Sequence, residues 1–157
     1  MAMKKPTKKA SNARARKPAR RAAKAKAKAK PKSTSLDALA RKIVRATQQP
    51  DFPFATLYTV DCTSAEPMGE PARGHAGLEE KNARWAQMQS QSVWTARNVW
   101  TGKNTICIEW DGAVTMRDGR QVSLREIAVH EIRDGKIQHE RYYYNPLALA
   151  PPAGAAQ

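Results

Sequence analysis

Residues 104–145 read NTICIEWDGAVTMRDGRQVSLREIAVHEIRDGKIQHERYYYN. Three runs rich in β-branched and aromatic residues are separated twice by the same signal, Arg-Asp-Gly followed by a basic residue. Asp118-Gly119 and Asp134-Gly135 are strong hairpin signals, because glycine adopts the positive φ of a tight reversal without steric cost. We therefore predict a three-stranded antiparallel meander, one face of which the rest of the chain must cover.

Two helical patterns and one long strand precede the meander. Apolar residues at helical spacing predict a first helix over residues 33–49, capped by Thr34 or Ser35, and a second helix over residues 75–88. A strand over residues 91–101 leads into the meander. The second helix should have one apolar and one charged face, formed respectively by Leu78, Trp85 and Met88 and by Glu79, Glu80, Lys81 and Arg84.

Shorter elements occupy the interval between the two helices. Residues 51–59 are spaced for a short helix, residues 60–66 predict a short strand, and residues 68–74 predict a loop. After the meander, residues 149–157 predict a flexible Ala/Pro-rich tail. This order of elements indicates an α+β domain over residues 33–148, in which helices pack on one face of a curved antiparallel sheet.

The net positive charge is confined to the N-terminal segment. The chain carries 28 Lys and Arg against 14 Asp and Glu, a net charge of +14. Residues 1–32 hold 14 of these cations and no acid, so the other 14 cations balance all 14 acids. Charge repulsion and the scarcity of large apolar groups predict a disordered Lys/Ala/Pro-rich tail. Its cations are Lys4, Lys5, Lys8, Lys9, Arg14, Arg16, Lys17, Arg20, Arg21, Lys24, Lys26, Lys28, Lys30 and Lys32.

The basic tail is open to more than one interpretation. It could be a solubilising segment, or an arm that binds nucleic acid or another polyanion by counterion release without reading sequence. Fourteen cations without one acid favour the arm, and the composition resembles the basic tails of linker-histone-like proteins. A nuclear-import signal is a third interpretation if the source is a eukaryote.

Cysteine content and hydropathy indicate the compartment. Cys62 and Cys107 are the only cysteines, and each lies in an apolar run without metal-ligand spacing, which predicts reduced thiols and no metal site. No apolar run reaches the roughly 18 residues of a membrane span, and the N-terminus lacks the apolar core of a secretory signal. We expect a cytoplasmic protein without a membrane partner, associated with the nucleoid if the arm binds DNA, and nuclear in a eukaryote.

Several short motifs resemble the SnoaL-like branch of the NTF2-like superfamily. They are the segment from Asp61 to Pro67 followed by Gly69 and Gly74, then Glu109-Trp110, Glu126-Ile-Ala-Val, Asp134-Gly-Lys-Ile and Tyr143-Tyr-Asn-Pro. The resemblance covers about residues 35–148 and implies a cone-shaped fold with a deep pocket between the concave sheet face and the helices. Members of this family include polyketide cyclases, ketosteroid isomerases, limonene-epoxide hydrolases and proteins that only bind, so the fold leaves the reaction open.

The turn at Asp118-Gly119 sets the pairing of the first two meander strands. A type I turn with a glycine bulge at this point places Trp110 opposite Glu126. The next inward pairs are then Ile108 with Ala128 and Ile106 with His130. This register is preferred because it directs the apolar residues of the first meander strand inward together.

The same turn at Asp134-Gly135 would set the pairing of the last two strands. Ile132 would lie opposite Lys136, and the following pairs would be His130 with Gln138, Ala128 with Glu140 and Glu126 with Tyr142. A two-residue turn would instead move the side chains of one strand to the other face of the sheet.

One face of the meander then combines apolar and ionisable side chains, as ligand pockets do. Its apolar wall would be Ile106, Ile108, Trp110, Ala128 and Tyr144, and into it would project Glu126, His130, Glu140 and Tyr142. Trp85 and Tyr58 could close the pocket from the helix side, although ordinary core positions suit them better. The other face would carry Ile127, Val129, Ile137 and Tyr143, an apolar patch that predicts a homodimer.

His130, Glu140 and Tyr142 are the candidate catalytic residues. In this register His130 and Glu140 are diagonal neighbours, roughly 7 Å apart at Cα. A carboxyl group in an apolar pocket has a raised pKa and can accept a proton near neutral pH, with His130 as its partner or as the acid. The alternative is a pair of satisfied polar groups in a binding or vestigial pocket. Tyr142 stands where the epoxide hydrolases carry their catalytic Asp, which argues against that activity.

Two functions remain open at this point. The first is a pocket protein that acts on a small apolar or polycyclic ligand by cofactor-free acid/base chemistry, as an isomerase, cyclase or hydrolase. The second is a non-catalytic ligand-binding or dimerisation module that the basic arm tethers to nucleic acid. An open cavity with convergent polar groups would favour the first, and a filled interior would favour the second.

Overall fold

The computed structural model describes residues 35–49 and 51–150. The predictions for the basic tail over residues 1–32, for Thr34 and for residues 151–157 concern parts of the chain outside the described residues. The described elements are α1 (Leu36–Thr47), a 3-10 helix (Phe54–Leu57), β1 (Tyr58–Ala65), β2 (Ala72–Arg73), α2 (Gly74–Met88), β3 (Gln89–Gly102), β4 (Thr105–Met116), β5 (Gln121–Arg133), β6 (Lys136–Tyr143) and a second 3-10 helix (Pro146–Leu149).

Helix α1 begins at a side-chain cap and buries one apolar stripe. The hydroxyl of Ser35 accepts a hydrogen bond from the backbone N–H of Ala38 at 3.2 Å, which satisfies one of the free donors at the helix start. The buried stripe, spaced by three and four residues, consists of Leu39, Ala40, Ile43 and Ala46.

The segment between the helices differs from its prediction at two points, and the end of α2 differs at one. The short helix spans only residues 54–57, because Tyr58 and the β-branched residues after it already belong to β1. The predicted loop contains the two-residue strand β2, which pairs with the end of β1. Met88, predicted to face inward from the end of α2, is exposed.

The six strands form one sheet in the order β2-β1-β6-β5-β4-β3. The four long strands from β3 to β6 pair antiparallel in chain order, whereas β1 pairs with β6 in parallel. The sheet is curved and unclosed, and the two helices lie on its concave face. The predicted α+β fold is therefore confirmed, with the parallel β1–β6 pair as an addition.

The first Asp-Gly turn has the predicted geometry. Only Gly119 has a positive φ, at 86°, and the N–H of Gly119 donates to the carbonyl of Met116 at 3.0 Å. The resulting register pairs Trp110 with Glu126, Ile108 with Ala128 and Ile106 with His130, as predicted.

The second Asp-Gly turn departs from the prediction. Asp134 and Gly135 both have positive φ, at 53° and 76°, so the turn has two central residues and pairs Ile132 with Ile137. A bulge at residue 138 then shifts the register again, which makes the predicted pairs His130–Gln138, Ala128–Glu140 and Glu126–Tyr142 wrong. The observed pairs are His130 with Glu140 and Ala128 with Tyr142.

The two register shifts together amount to two residues. Because side chains alternate between faces, a shift of two returns every residue beyond the bulge to the predicted face. Glu140 and Tyr142 therefore still face the helices. Ile137 precedes the bulge and lies fully buried in the core, so its predicted place on the outer face is wrong.

Two apolar clusters fill the concave side. The larger one contains Leu57 and Tyr58 together with α1 and the middle of β4 and β5, and the smaller one contains Val114, Met116 and Leu124. Trp94 packs against both clusters. The second 3-10 helix covers the smaller cluster, and Arg120 donates to the carbonyl of Ala150 at 3.0 Å, so residues 149 and 150 do not start a free tail as predicted.

Neither of the two α-helices in the described part of the chain has the length and apolar character needed to cross a membrane.

Candidate functional site

Glu140 lies at the centre of a buried polar cluster beneath the helices. Its side chain is 1% exposed. The hydroxyl of Tyr58 donates to Oε2 at 2.7 Å and the hydroxyl of Ser64 donates to Oε1 at 2.6 Å. The ammonium of Lys81 lies 3.5 Å from Oε1. Charge-assisted hydrogen bonds of this kind hold a carboxylate in one position more firmly than neutral ones.

His130 faces Glu140 from the neighbouring strand. The two residues are direct partners across β5 and β6, so the predicted diagonal relation is wrong. Nδ1 of His130 lies 3.4 Å from Oε2 of Glu140, and the imidazole is 2% exposed. Neither ring nitrogen has a hydrogen-bond partner among the described residues. The imidazole is therefore held against the carboxylate by packing.

The pKa of Glu140 moves in the direction opposite to the one expected. Burial alone would raise it, but the combined effect of His130, Lys81 and Ser64 lowers the pKa to about 2. The carboxyl group therefore stays ionised at neutral pH and is a weak base. The surroundings of Glu140 indicate an anchoring role for its carboxylate.

Lys81 is a member of the site that the sequence analysis missed. Its side chain is 15% exposed and does not lie on a solvated face as predicted. Nζ donates to Ser64 at 2.6 Å and to Glu66 at 3.0 Å, and lies 4.3 Å from the ring centroid of Tyr142. A signal was present, because Lys81 follows Leu78 by three residues and precedes Trp85 by four, which places it between two inward residues.

Glu126 is the carboxyl group whose protonation state suits proton transfer. It lies on the concave face opposite Trp110, is half-buried, and forms no hydrogen bond or ion pair with the described residues. Burial raises the pKa of Glu126 to about 8, with a further rise from Glu66 that Lys81 partly offsets. The raised carboxyl pKa expected for this face therefore occurs, on a different residue.

The tyrosines of the cluster are hydrogen-bond donors. Burial and the charge of Glu140 raise the pKa values of Tyr58 and Tyr142 well above the ordinary value, so both stay protonated. Burial and the charge of Glu66 raise the pKa of Tyr144 in the same way. Tyr142 is therefore suited to donate to an oxygen atom and unsuited to accept a proton from carbon.

The structure divides the predicted pocket residues between the two apolar clusters. Trp85 and Tyr144 pack against the smaller cluster. The larger cluster contains the other apolar residues of the predicted pocket, which are Tyr58, Ile106, Ile108, Trp110 and Ala128. Tyr142 packs against this cluster. Ile106, Ile108 and Ala128 are fully buried, so these three side chains are core, and the expected pocket is filled at their positions, which is the outcome expected for a binding module. The half-buried Glu126 and Tyr142 are ionisable groups of this face that remain accessible to a ligand.

Within the described ranges, 35–49 and 51–150, no group of three or more His, Cys, Asp or Glu residues is arranged to hold a metal ion.

Comparison with protein families gives a match over most of the folded part. A model described as SnoaL-like domain matches residues 40–140, which is more than half of the chain. The chain belongs to the SnoaL-like domain family. No curated protein matches it. Membership agrees with the resemblance carried by the hairpin and strand motifs.

Solved structures share the fold at low sequence identity. An NTF2-like protein of unknown function from Burkholderia pseudomallei superposes with a TM-score of 0.65 at 15% identity, covering 68% of this chain and 88% of that one. A candidate SnoaL-like polyketide cyclase from Jannaschia gives 0.64 at 15%, covering 73% and 93%. A protein with a ketosteroid isomerase-like fold from Catenulispora acidiphila gives 0.64 at 16%, covering 71% and 88%. At such identities the likeness concerns the fold.

Proposed function

We propose that this SnoaL-like domain binds a small apolar carbonyl compound on its concave face and moves protons on it by acid/base chemistry without a cofactor. The observation that supports the proposal is Glu126, a half-buried carboxyl group with a pKa of about 8 and no described polar partner. A group with this pKa exchanges protons in both directions near neutral pH, which a proton-transfer catalyst requires.

The neighbouring groups have distinct roles in this proposal. Glu126 takes a proton from the carbon next to the carbonyl and returns it to another carbon or to the same one. Tyr142, which stays protonated, donates to the oxygen as it becomes negative, and the ammonium of Lys81 favours that charge. Glu140 positions Lys81, with which it pairs, and His130 lies against Glu140 from the neighbouring strand.

The reaction class follows from the chemistry of these groups and agrees with the names of two structural neighbours. One is described as having a ketosteroid isomerase-like fold and another as a candidate polyketide cyclase. Both kinds of reaction begin with removal of a proton next to a carbonyl. Within the family's range we therefore favour isomerisation or cyclisation over hydrolysis.

Solvent exchange tests the proposal without knowledge of the natural substrate. The full-length chain would be incubated in D₂O with β,γ-unsaturated cyclic ketones and with aromatic 1,3-diketones, and deuterium uptake at carbon would be followed by NMR. We expect uptake above the buffer rate for at least one compound. Glu126→Gln should reduce it at least 100-fold, and Glu126→Asp should retain part of it.

Glu131→Gln is the matched control, because Glu131 lies on the same strand but on the outer face, paired with Arg141. It should leave the exchange rate unchanged. Binding of the ketones without deuterium uptake in the wild-type chain would overturn the catalytic proposal and favour a binding module. Equal rates in wild-type and Glu126→Gln would assign the base elsewhere.

We propose as a second function that residues 1–32 tether the domain to nucleic acid. The supporting observation is the charge partition, 14 cations without an acid in this segment and a neutral remainder. Binding should be independent of sequence. If about half of the cations contact phosphates, the slope of log affinity against log salt on duplex DNA should be roughly −6.

Removal of residues 1–32 provides the test of the tether. We expect DNA affinity to be lost while the circular dichroism spectrum and any pocket activity are retained. A shallow salt slope in the full-length chain would instead make the segment a solubility or targeting element. Sequence-selective binding by the shortened chain would refute this division of roles.

A further inference from the structure

We propose that the groove between α1 and β3 is a separate binding site for an amphipathic monocarboxylate, a molecule with one carboxylate and an apolar body. The groove has a volume of about 730 Å³, which is in the range of small-molecule sites. Its floor is apolar and its rim is charged, as the residues on its two walls show. The inference does not depend on the chemistry proposed for Glu126.

The floor of the groove is formed by short apolar side chains from both walls. Ala40 and Val44 come from α1, one helical turn apart, and Ala96 and Val99 come from β3. Val99 remains exposed at 44% although it points to the concave side opposite the buried Ile108. A bulge after Ala96 keeps both β3 residues on this side. The apolar body of a ligand would cover surface that the fold leaves wet.

The rim carries two arginines on one line of α1. Arg41 and Arg45 are four residues apart, so their side chains are neighbours along the groove. Nε of Arg45 donates to the carbonyl of Arg41 at 3.3 Å, and neither guanidinium forms an ion pair among the described residues. Two adjacent guanidinium groups above an apolar floor suit a carboxylate, which they can bind in a bidentate manner.

The acidic group of the groove lies at its far end. Asp37 begins the same line on α1, and the hydroxyl of Thr101 donates to its Oδ1 at 2.8 Å. The charges therefore run from negative at Asp37 to positive at Arg41 and Arg45. A monocarboxylate would place its headgroup at the arginines. The lysine- and arginine-rich residues 1–32 carry the wrong charge to occupy that end.

Methyl NMR localises binding to the groove even though the basic segment is present. The full-length chain with labelled valine methyl groups would be titrated with octanoate, octanol and octylamine below their aggregation concentrations. Residues 1–32 contain no valine, so shifts at Val44 and Val99 report on the groove alone. We expect octanoate to shift both residues saturably and more tightly than octanol, and octylamine to bind weakest.

Charge variants test the assignment of the headgroup. Arg41→Gln with Arg45→Gln should weaken octanoate at least tenfold, whereas Asp37→Asn should strengthen it by removing repulsion. Lys42→Gln with Arg84→Gln is the matched control, because it removes two exposed cations outside the groove, and it should leave the affinity unchanged. Glu126→Gln should also leave it unchanged, which separates this site from the proposed proton-transfer site.

Three results would overturn the proposal. They are an absence of octanoate shifts at Val44 and Val99, equal affinities for the arginine variant and its control, and tighter binding of octylamine than of octanoate. The last result would assign the groove to a cation at Asp37.

Discussion

The two faces of the β5–β6 ribbon carry the same kind of charge pair in opposite surroundings. On the concave face, Glu140 is buried with His130 and Lys81 close by. On the outer face, Glu131 follows His130 on β5 and accepts a hydrogen bond from Arg141 at 2.7 Å. Both of these side chains are 44% exposed. The outer pair resides largely in water, where such pairs are worth little. The inner carboxylate has lost its water, so its stability depends on its protein donors.

Replacement of the two glutamates should give the largest difference between the faces. Glu140→Ala removes the acceptor of Tyr58 and Ser64 and leaves Lys81 without its buried counter-charge, so it should cost about 3 to 5 kcal/mol in the free energy of unfolding. Glu131→Ala should cost less than about 1 kcal/mol. Urea unfolding at pH 7 measures both.

Glu140→Gln provides a second measurement in case the alanine variant does not fold. It keeps the shape and one acceptor and should lose a smaller part of the stability than alanine does. If Glu131→Ala proves as costly as Glu140→Ala, burial is not what separates the two faces.

The two Asp-Gly turns show how far sequence can predict such a face. Both read Arg-Asp-Gly followed by a basic residue, yet Asp118 has an ordinary φ and Asp134 a positive one. Turn chemistry allows both geometries, because Asp tolerates the left-handed region. The fold chooses between them by burial: the tight turn at Asp134 brings Ile132 and Ile137 together over the core, and the bulge at residue 138 restores the alternation.

The sequence predicted which residues of the meander belong to the candidate site, but it did not predict their pKa values. Strand alternation identified Glu126, His130 and Glu140 as residues of one face. The pKa of Glu140 depends on Ser64 and Lys81, which are 76 and 59 positions away in the chain and reach it only through the β1–β6 pair and the packing of α2. No periodicity within one strand carries that information, so the sequence analysis expected a raised pKa for Glu140 where its surroundings lower it.

The outer face is expected to associate with a second copy of the chain. It exposes Trp100, Ile127 and Tyr143, the last at 54%. Within the described part, no aromatic side chain of the concave face is exposed to this extent. Ile127→Lys should raise the dimer dissociation constant at least 100-fold by placing a charge in the apolar patch. Sedimentation velocity over micromolar concentrations measures the dissociation constant. Val60→Lys is the control, because Val60 is an exposed apolar residue on a different strand, β1, and this change should leave the dissociation constant unchanged. A wild-type chain that sediments as a monomer at high micromolar concentration would contradict the prediction.

Gly112 tests the packing of the concave face. A Cβ at this position would lie 2.6 to 2.8 Å from the ring of Trp94, which packs against both apolar clusters. Gly112→Ala should therefore cost about 1 to 3 kcal/mol in unfolding free energy and alter tryptophan fluorescence. Gly102→Ala, where a Cβ meets open space, should cost little. Similar values for the two variants would mean that the Trp94 ring moves aside freely.

The pH dependence of stability should distinguish the two inner carboxyl groups. The folded state lowers the pKa of Glu140 to about 2, so the stability that this carboxylate contributes is present above its ordinary pKa near 4.5 and is lost as the pH falls towards 2. The folded state raises the pKa of Glu126 to about 8, so folding favours its protonated form. Unfolding then releases a proton between about pH 4.5 and 8, and stability falls as the pH rises through that interval.

Glu126→Gln removes the proton released on unfolding without disturbing the Glu140 cluster. Between pH 5 and 8 the wild-type chain should therefore lose more unfolding free energy than the variant, by about 1.4 kcal/mol for each unit by which the fold raises the pKa of Glu126. The acid limb below pH 4.5 comes from Glu140 together with Asp61 and Asp118, whose pKa values their hydrogen bonds to Arg133 and Arg120 also lower, and it should be the same in both chains. Glu131→Gln on the outer face should reproduce the wild-type curve. Parallel curves for wild-type and Glu126→Gln from pH 5 to 8 would show that Glu126 is solvated in the folded state, and the basis for assigning it the proton transfer would be lost with it.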